Sequence, residues 1–192
     1  NIPSGAQEHF EPYVASGMKF FVAKVDSTKV EFVDGNAVLS PLRIEMTDTT
    51  NFSLPIKLGL INSSGSQDLL VYTLGIGQRY DLANRDNVFI PTNIQVVDDV
   101  RDSFGDFYRA LFAETVAQNV GAAITEYAWD ASTCDPCPGP MLTQEDFLTL
   151  GADVVNNGEW AQWVITRLHL RYDSSSIGDD LVFKETEAIV GG

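Results

Sequence analysis

The sequence predicts an α+β fold: an antiparallel β-sheet or sandwich covered by one main α-helix, with a disulfide-pinned, proline-rich loop. Three observations lead there. Residues 17–98 hold short apolar runs of period two, separated by turn residues at close spacing. Residues 102–120 switch to a helical period. Residues 126–142 then gather both cysteines and three of the eight prolines. A helix–strand tail fills 143–192, and all 192 residues suit a single domain.

A chain of this length buries roughly 70% of the surface its unfolded form exposes. Folding therefore needs no cofactor or disulfide to explain it. Hydrophobic residues make up 44% and charged residues 20%, a globular balance. Acids outnumber bases 27 to 12, for a net charge of -15. Such a surface repels phosphate backbones and anionic lipid, which argues against nucleic-acid binding. It favours solubility, cations or basic partners. No apolar run approaches the roughly 20 residues of a membrane-spanning helix. Residue 1 is Asn and not Met, so the expectation is a processed piece of a longer, exported product.

Taken in order, Ala6, Phe10, Tyr13 and Val14 fall near helical spacing, with Pro12 limiting the helix and Gly17 stopping it. Phe20 to Val25 is apolar on both faces and reads as a central strand. Val30 and Phe32 lead into Asp34-Gly35-Asn36, a hairpin signal. Ala37 to Met46 and Phe52 to Ile61 are further strands, where Pro41 and Pro55 mark edges or bulges. Leu69 to Leu74, Tyr80 to Leu82 and Val88 to Val97 complete the sheet. Phe104, Phe107, Tyr108, Leu111, Phe112, Thr115 and Val116 form the clearest helical stripe, and its plain role is to cover a sheet face. Thr143 is an N-cap for a short helix, with Asp146 standing in for the Glu or Gln of a capping box and Phe147 and Leu148 facing inward. Trp160 to Tyr172 is a final long strand, with Arg167, His169 and Arg171 alternating on one face. Leu181-Val182-Phe183 follows a serine turn.

Few residues invite chemistry. Cys134-Asp135-Pro136-Cys137 has four readings. A redox dithiol wants a helix N-terminus to hold its thiolate, but Pro138 and Pro140 follow, and Asp130 and Asp135 would raise a thiol pKa. Haem attachment fails because position 138 is not His. A zinc site lacks two of four ligands, with only His9 and His169 to supply nitrogen. A local structural disulfide between Cys134 and Cys137 remains, pinning the loop, with Tyr127 and Trp129 as core anchors. Hydrolase, zincin and phosphate-loop signatures are missing. His169 beside Arg167 and Arg171 suggests an ion-paired face more than a catalytic base. Asp98, Asp99, Asp102 and Asp106 could bind calcium through oxygen, though capping and solvation explain them as well.

Several segments together resemble a known family. They are Gly17 to Val25, Leu39-Ser40-Pro41-Leu42-Arg43, Leu54-Pro55-Ile56-Lys57-Leu58-Gly59 and Ile90-Pro91-Thr92-Asn93. Glu126 to Asp130 with Cys134 to Cys137, Thr166 to Tyr172, and Asp180-Leu181-Val182-Phe183 complete the set. This combination is similar to the exported bacterial family named domain of unknown function twenty-three-thirty. The resemblance implies a periplasmic or extracellular location, and there oxidants favour the disulfide. It implies no activity, so it assigns no catalytic, metal or cofactor residue. The resemblance also implies further chain, which members of that family usually carry before, and many carry after, the part this sequence resembles.

The functional expectation is therefore a non-catalytic, exported structural or interaction subunit of a bacterial envelope or extracellular assembly, with other protein subunits as partners. Two alternatives stand beside it. One is a thiol–disulfide oxidoreductase or metal-dependent enzyme using Cys134 and Cys137. The other is an acidic calcium-binding module.

Overall fold

Two lengths of chain gather separately, Asn1–Asn51 and Phe52–Gly192. The computed structural model describes residues 5–22, 26, 28–33, 36–38, 42–44, 50–61, 63, 65–90, 95–130, 143–151, 153 and 163–189. Cys134, Cys137 and their prolines lie outside these residues, as do Pro41 and Pro91.

In the N-terminal unit, α1 (Ala6–Ala15) keeps Pro12 inside it. Gly17, at φ 75°, ends the helix. There the amides of Met18 and Gly17 donate to the carbonyls of Tyr13 and Val14, the paired bonds of a Schellman stop. β1 (Glu31–Val33) and β2 (Asn36–Val38) form the hairpin expected at Asp34-Gly35, with Val33 opposite Asn36. Of the expected central strand, Ala23 to Val25 lie outside the described residues, and the rest is irregular. Met18 to Val22 has no regular structure, and Phe21 and Val22 are 73% and 85% exposed. An apolar run specifies a strand only where neighbours exist to take its ladder. Beyond β2, the described residues 42–44 are also irregular.

The larger unit is a sandwich of two sheets. β3 (Ser53–Leu54), β9 (Leu181–Glu187) and β5 (Gln78–Leu82) form one, in the order β3-β9-β5. β4 (Gln67–Ile76), β8 (Trp163–Tyr172), β7 (Ala123–Asp130) and β6 (Asn87–Phe89) form the other, in the order β4-β8-β7-β6. The longest ladder pairs β4 with β8, from Gln67 opposite Tyr172 to Ile76 opposite Trp163. Leu168, Leu170 and Tyr172 of β8 meet Leu82, Leu181 and Phe183 of the other sheet, with Ile56 and Leu60 closing the core. Each large side chain buried there contributes about 1.5–3 kcal/mol.

Four sequence expectations change. Phe52 to Ile61 is a two-residue strand followed by a 3₁₀ turn at Lys57–Leu60, because Pro55 has no N–H to continue the ladder. Val88 to Val97 shortens to β6, among the described residues. The sheet is not wholly antiparallel, since β6 runs parallel to β7. Its cause is the helix between them: α2 (Phe104–Gln118) is the crossover that parallel neighbours require. β7 itself takes in Glu126 to Asp130, which the sequence pattern assigned to the loop.

α2 begins after a 3₁₀ turn at Asp98–Ser103 and follows the predicted stripe, with Phe112 and Thr115 buried. α3 (Gln144–Thr149) carries the full capping box of Thr143 and Asp146. Phe147 is fully buried against Trp163 and Ile165, whereas Leu148 faces outward at 41% exposure. One sheet face is thus dry under α3 and charged under α2.

Candidate functional site

The charged half of that face is the densest polar cluster among the described residues. Alternation along β8 sends Arg167, His169 and Arg171 to one side and buries Val164, Thr166, Leu168 and Leu170 on the other. β4 brings Asp68 opposite Arg171. On β7 the register slips between Thr125 and Tyr127, so Glu126 is an extra residue with no partner of its own on β8. Such a bulge re-aims a side chain, and here it places Glu126 between His169 and Arg167. α2 lies above and adds Tyr108 and Phe112.

Glu126 is the hub, its side chain only 6% exposed. Tyr108 Oη donates to Glu126 Oε1 in a short bond. His169 Nδ1 lies 2.8 Å from the same oxygen. A carboxylate only accepts, so this nitrogen carries the proton. Glu126 Oε2 sits 2.8 Å from Arg167 Nε, at ion-pair distance without hydrogen-bond alignment. Burial pushes the Glu126 carboxyl up, but bonds from His169 and Tyr108 and the charges of His169 and Arg167 outweigh it, leaving the pKa below its ordinary value. Tyr108 moves the other way, raised first by burial and then by the neighbouring carboxylate.

His169 is held on every side. The Phe112 ring stacks on it at 3.8 Å, and Arg171 sits 5.0 Å over the same phenyl ring. Its Nε2 is closed to solvent, has no hydrogen-bond partner and lies 3.6 Å from Asp68 Oδ1. Asp68 spends its hydrogen bonds on Arg171 in a bidentate pair of 2.7 and 2.8 Å. That pairing, more than any other influence, holds its carboxyl below the usual range.

A general base needs its free nitrogen within reach of a substrate proton. His169 Nε2 instead faces a carboxylate beneath an aromatic ring. The cluster is suited to fastening α2 across β4, β8 and β7. This matches the ion-paired reading of Arg167, His169 and Arg171. Sequence reasoning missed Glu126 as the hub, and Tyr108 and Asp68 as its periphery. No period-two signal was available, because Ile124, Thr125 and Glu126 run apolar, polar, polar into the bulge.

The other candidates stand as follows. His9 is half-buried on α1 in the N-terminal unit. Asp98, Asp99 and Asp102 lie along the 3₁₀ turn, while Asp106 pairs with Arg109 on α2. Among the described residues, no group of three or more His, Cys, Asp or Glu side chains could hold a metal ion. Tyr127 is no core anchor: it is 38% exposed and packs beside half-buried Trp129, ring centroids 5.5 Å apart. No described helix is long and apolar enough to cross a membrane.

A second polar cluster is structural. Arg85 donates to the carbonyls of Ile177, Asp179 and Gly121, tying the loop before β9 to the turn after α2. Asn84 and Asn87 bond backbone groups of β9 and β5 in the same corner.

The sequence model of a bacterial family, described as "Uncharacterized protein conserved in bacteria (DUF2330)", matches residues 1–184. No curated protein and no solved structure gives a significant match.

Proposed function

This chain belongs to the DUF2330 family of bacterial proteins, and we propose that it is a non-catalytic, exported subunit of an envelope or extracellular assembly. One observation carries the proposal. Between Met18 and Ile44 the N-terminal unit leaves Met18, Phe20, Phe21, Val22, Phe32, Val33, Val38, Leu42 and Ile44 exposed. Scattered apolar side chains are ordinary on a surface, but a concentration of this kind marks a protein-binding region. A lone two-stranded hairpin is marginal in water and gains stability by docking. The internally consumed charges around Glu126 support a binding role over a catalytic one. Export suits the closely spaced cysteines Cys134 and Cys137, which lie outside the described residues.

The test is native mass spectrometry after gentle extraction from a bacterium that makes the protein, alongside cell fractionation. The expected species is exported and heavier than one copy of the polypeptide the bacterium makes. A lone monomer, or a protein confined to the cytoplasm, would overturn the proposal.

A further inference from the structure

The sandwich has one long strand whose outer side is paired with nothing among the described residues. β4 lies at the end of the order β4-β8-β7-β6, and its ten residues all pair inward with β8. Edge strands are ordinarily guarded by charges, proline, bulges or shortness. β4 has no proline and no register shift, and its single charge, Asp68, is spent on Arg171. Leu70 and Tyr72 are instead exposed at 44% and 53%.

A second observation lies beside this edge. A cavity of about 240 Å³ is lined by Phe52, Tyr72, Thr73, Leu74, Leu150 and Ile165. It is mainly apolar. Thr73 is 5% exposed, and its Oγ1 has no hydrogen-bond partner. That hydroxyl is closed to solvent, so the cavity recognises an occupant by apolar contact.

We propose that the outer edge of β4 is a strand-addition site for an extended segment of another protein, which seats one large apolar side chain in the Thr73 cavity and carries basic flanking residues. Strand addition draws affinity from main-chain bonds and specificity from side-chain pockets, and β4 supplies both. Charge selects the partner. A second copy of this chain brings another -15, which repels, whereas a basic segment is attracted. The inference rests on the subunit reading above and names the chemistry of one partner.

The probe is a fluorescein-labelled peptide, Lys-Lys-Thr-Val-Thr-Phe-Thr-Val-Lys-Lys, titrated against the intact chain and followed by anisotropy and amide hydrogen exchange. Two controls accompany it: the same peptide N-methylated along its Thr and Val backbone, and a version with Glu in place of Lys. Saturable binding is expected, at least about tenfold weaker for both controls. Exchange should slow in Gln67–Ile76 and nowhere else. Tyr72→Lys and Leu70→Lys, both at exposed positions, should weaken binding with the circular dichroism unchanged. Absence of saturation, equal binding of the N-methylated peptide, or protection away from β4 would overturn the site. Such a failure leaves the native-mass result standing, so the two readings fail separately.

Discussion

Glu126→Gln tests whether the carboxylate fastens α2 to the sheet. The change keeps size and shape, but removes the charge between Arg167, His169 and Tyr108 and turns one acceptor oxygen into an NH2 donor. Breaking a buried ion pair by removing one partner costs about 3–5 kcal/mol. The glutamine oxygen still accepts one hydrogen bond, and Arg167 is partly exposed, so the lower end applies: about 3 kcal/mol. At about 2–4 °C per kcal/mol for a chain this size, the melting temperature falls by about 6–12 °C. Urea unfolding followed by circular dichroism gives the free energy directly. The pH dependence adds an independent check. The carboxyl titrates below its ordinary 4.5 in the folded chain. Its stabilising contribution is therefore complete above that value and is lost as pH falls through the folded-state pKa. The gap between wild type and variant should accordingly close in acid below about pH 4.5. A difference under about 0.5 kcal/mol at neutral pH, or one undiminished at about pH 3, would refute the argument.

Three further outcomes are expected. Phe147→Ala removes a fully buried ring packed 5.3 Å from Trp163; the urea midpoint should fall by an amount equivalent to about 3–4 kcal/mol, and an unchanged midpoint counts against α3 as part of the core. Gly178→Ala places a Cβ at φ 56° and 3.3 Å from Arg85; thermal melts should show a loss of about 1–2 kcal/mol. Arg85→Met strips the donor from Gly121, Ile177 and Asp179; stability should drop by about 1–3 kcal/mol, and limited proteolysis should accelerate in the loop before β9. Equal cleavage rates would show that the arginine does not hold that loop.

The parts of the fold that the sequence revealed are those decided by near neighbours. Thr143 and Asp146 sit three residues apart and satisfy each other's backbone, so the capping box needed no tertiary knowledge. The α2 stripe and the alternation of β8 follow from side-chain periodicity in the same way. The failures are non-local. Met18 to Val22 has the composition of a central strand but no ladder beside it among the described residues. The parallel pairing of β6 with Ala123, Ile124 and Thr125 could not be inferred while no strand was read between the helix and the loop. The Glu126 hub unites residues 18 and 43 positions away, and a bulge disrupts the alternation that would have announced it. The proposed disulfide between Cys134 and Cys137 lies outside the described residues, so it remains an expectation from sequence.

The crossover also sets a timetable. β6, α2 and β7 follow one another along the chain, so their parallel unit can gather from adjacent residues. The β4 ladder cannot, because Asp68 and Arg171 are separated by 103 residues. During synthesis β4 leaves the ribosome long before β8 exists to pair with it. Both of its edges are then open to chaperones and to self-association. The strand that keeps one edge unpaired among the described residues is thus also one that waits long for its partner.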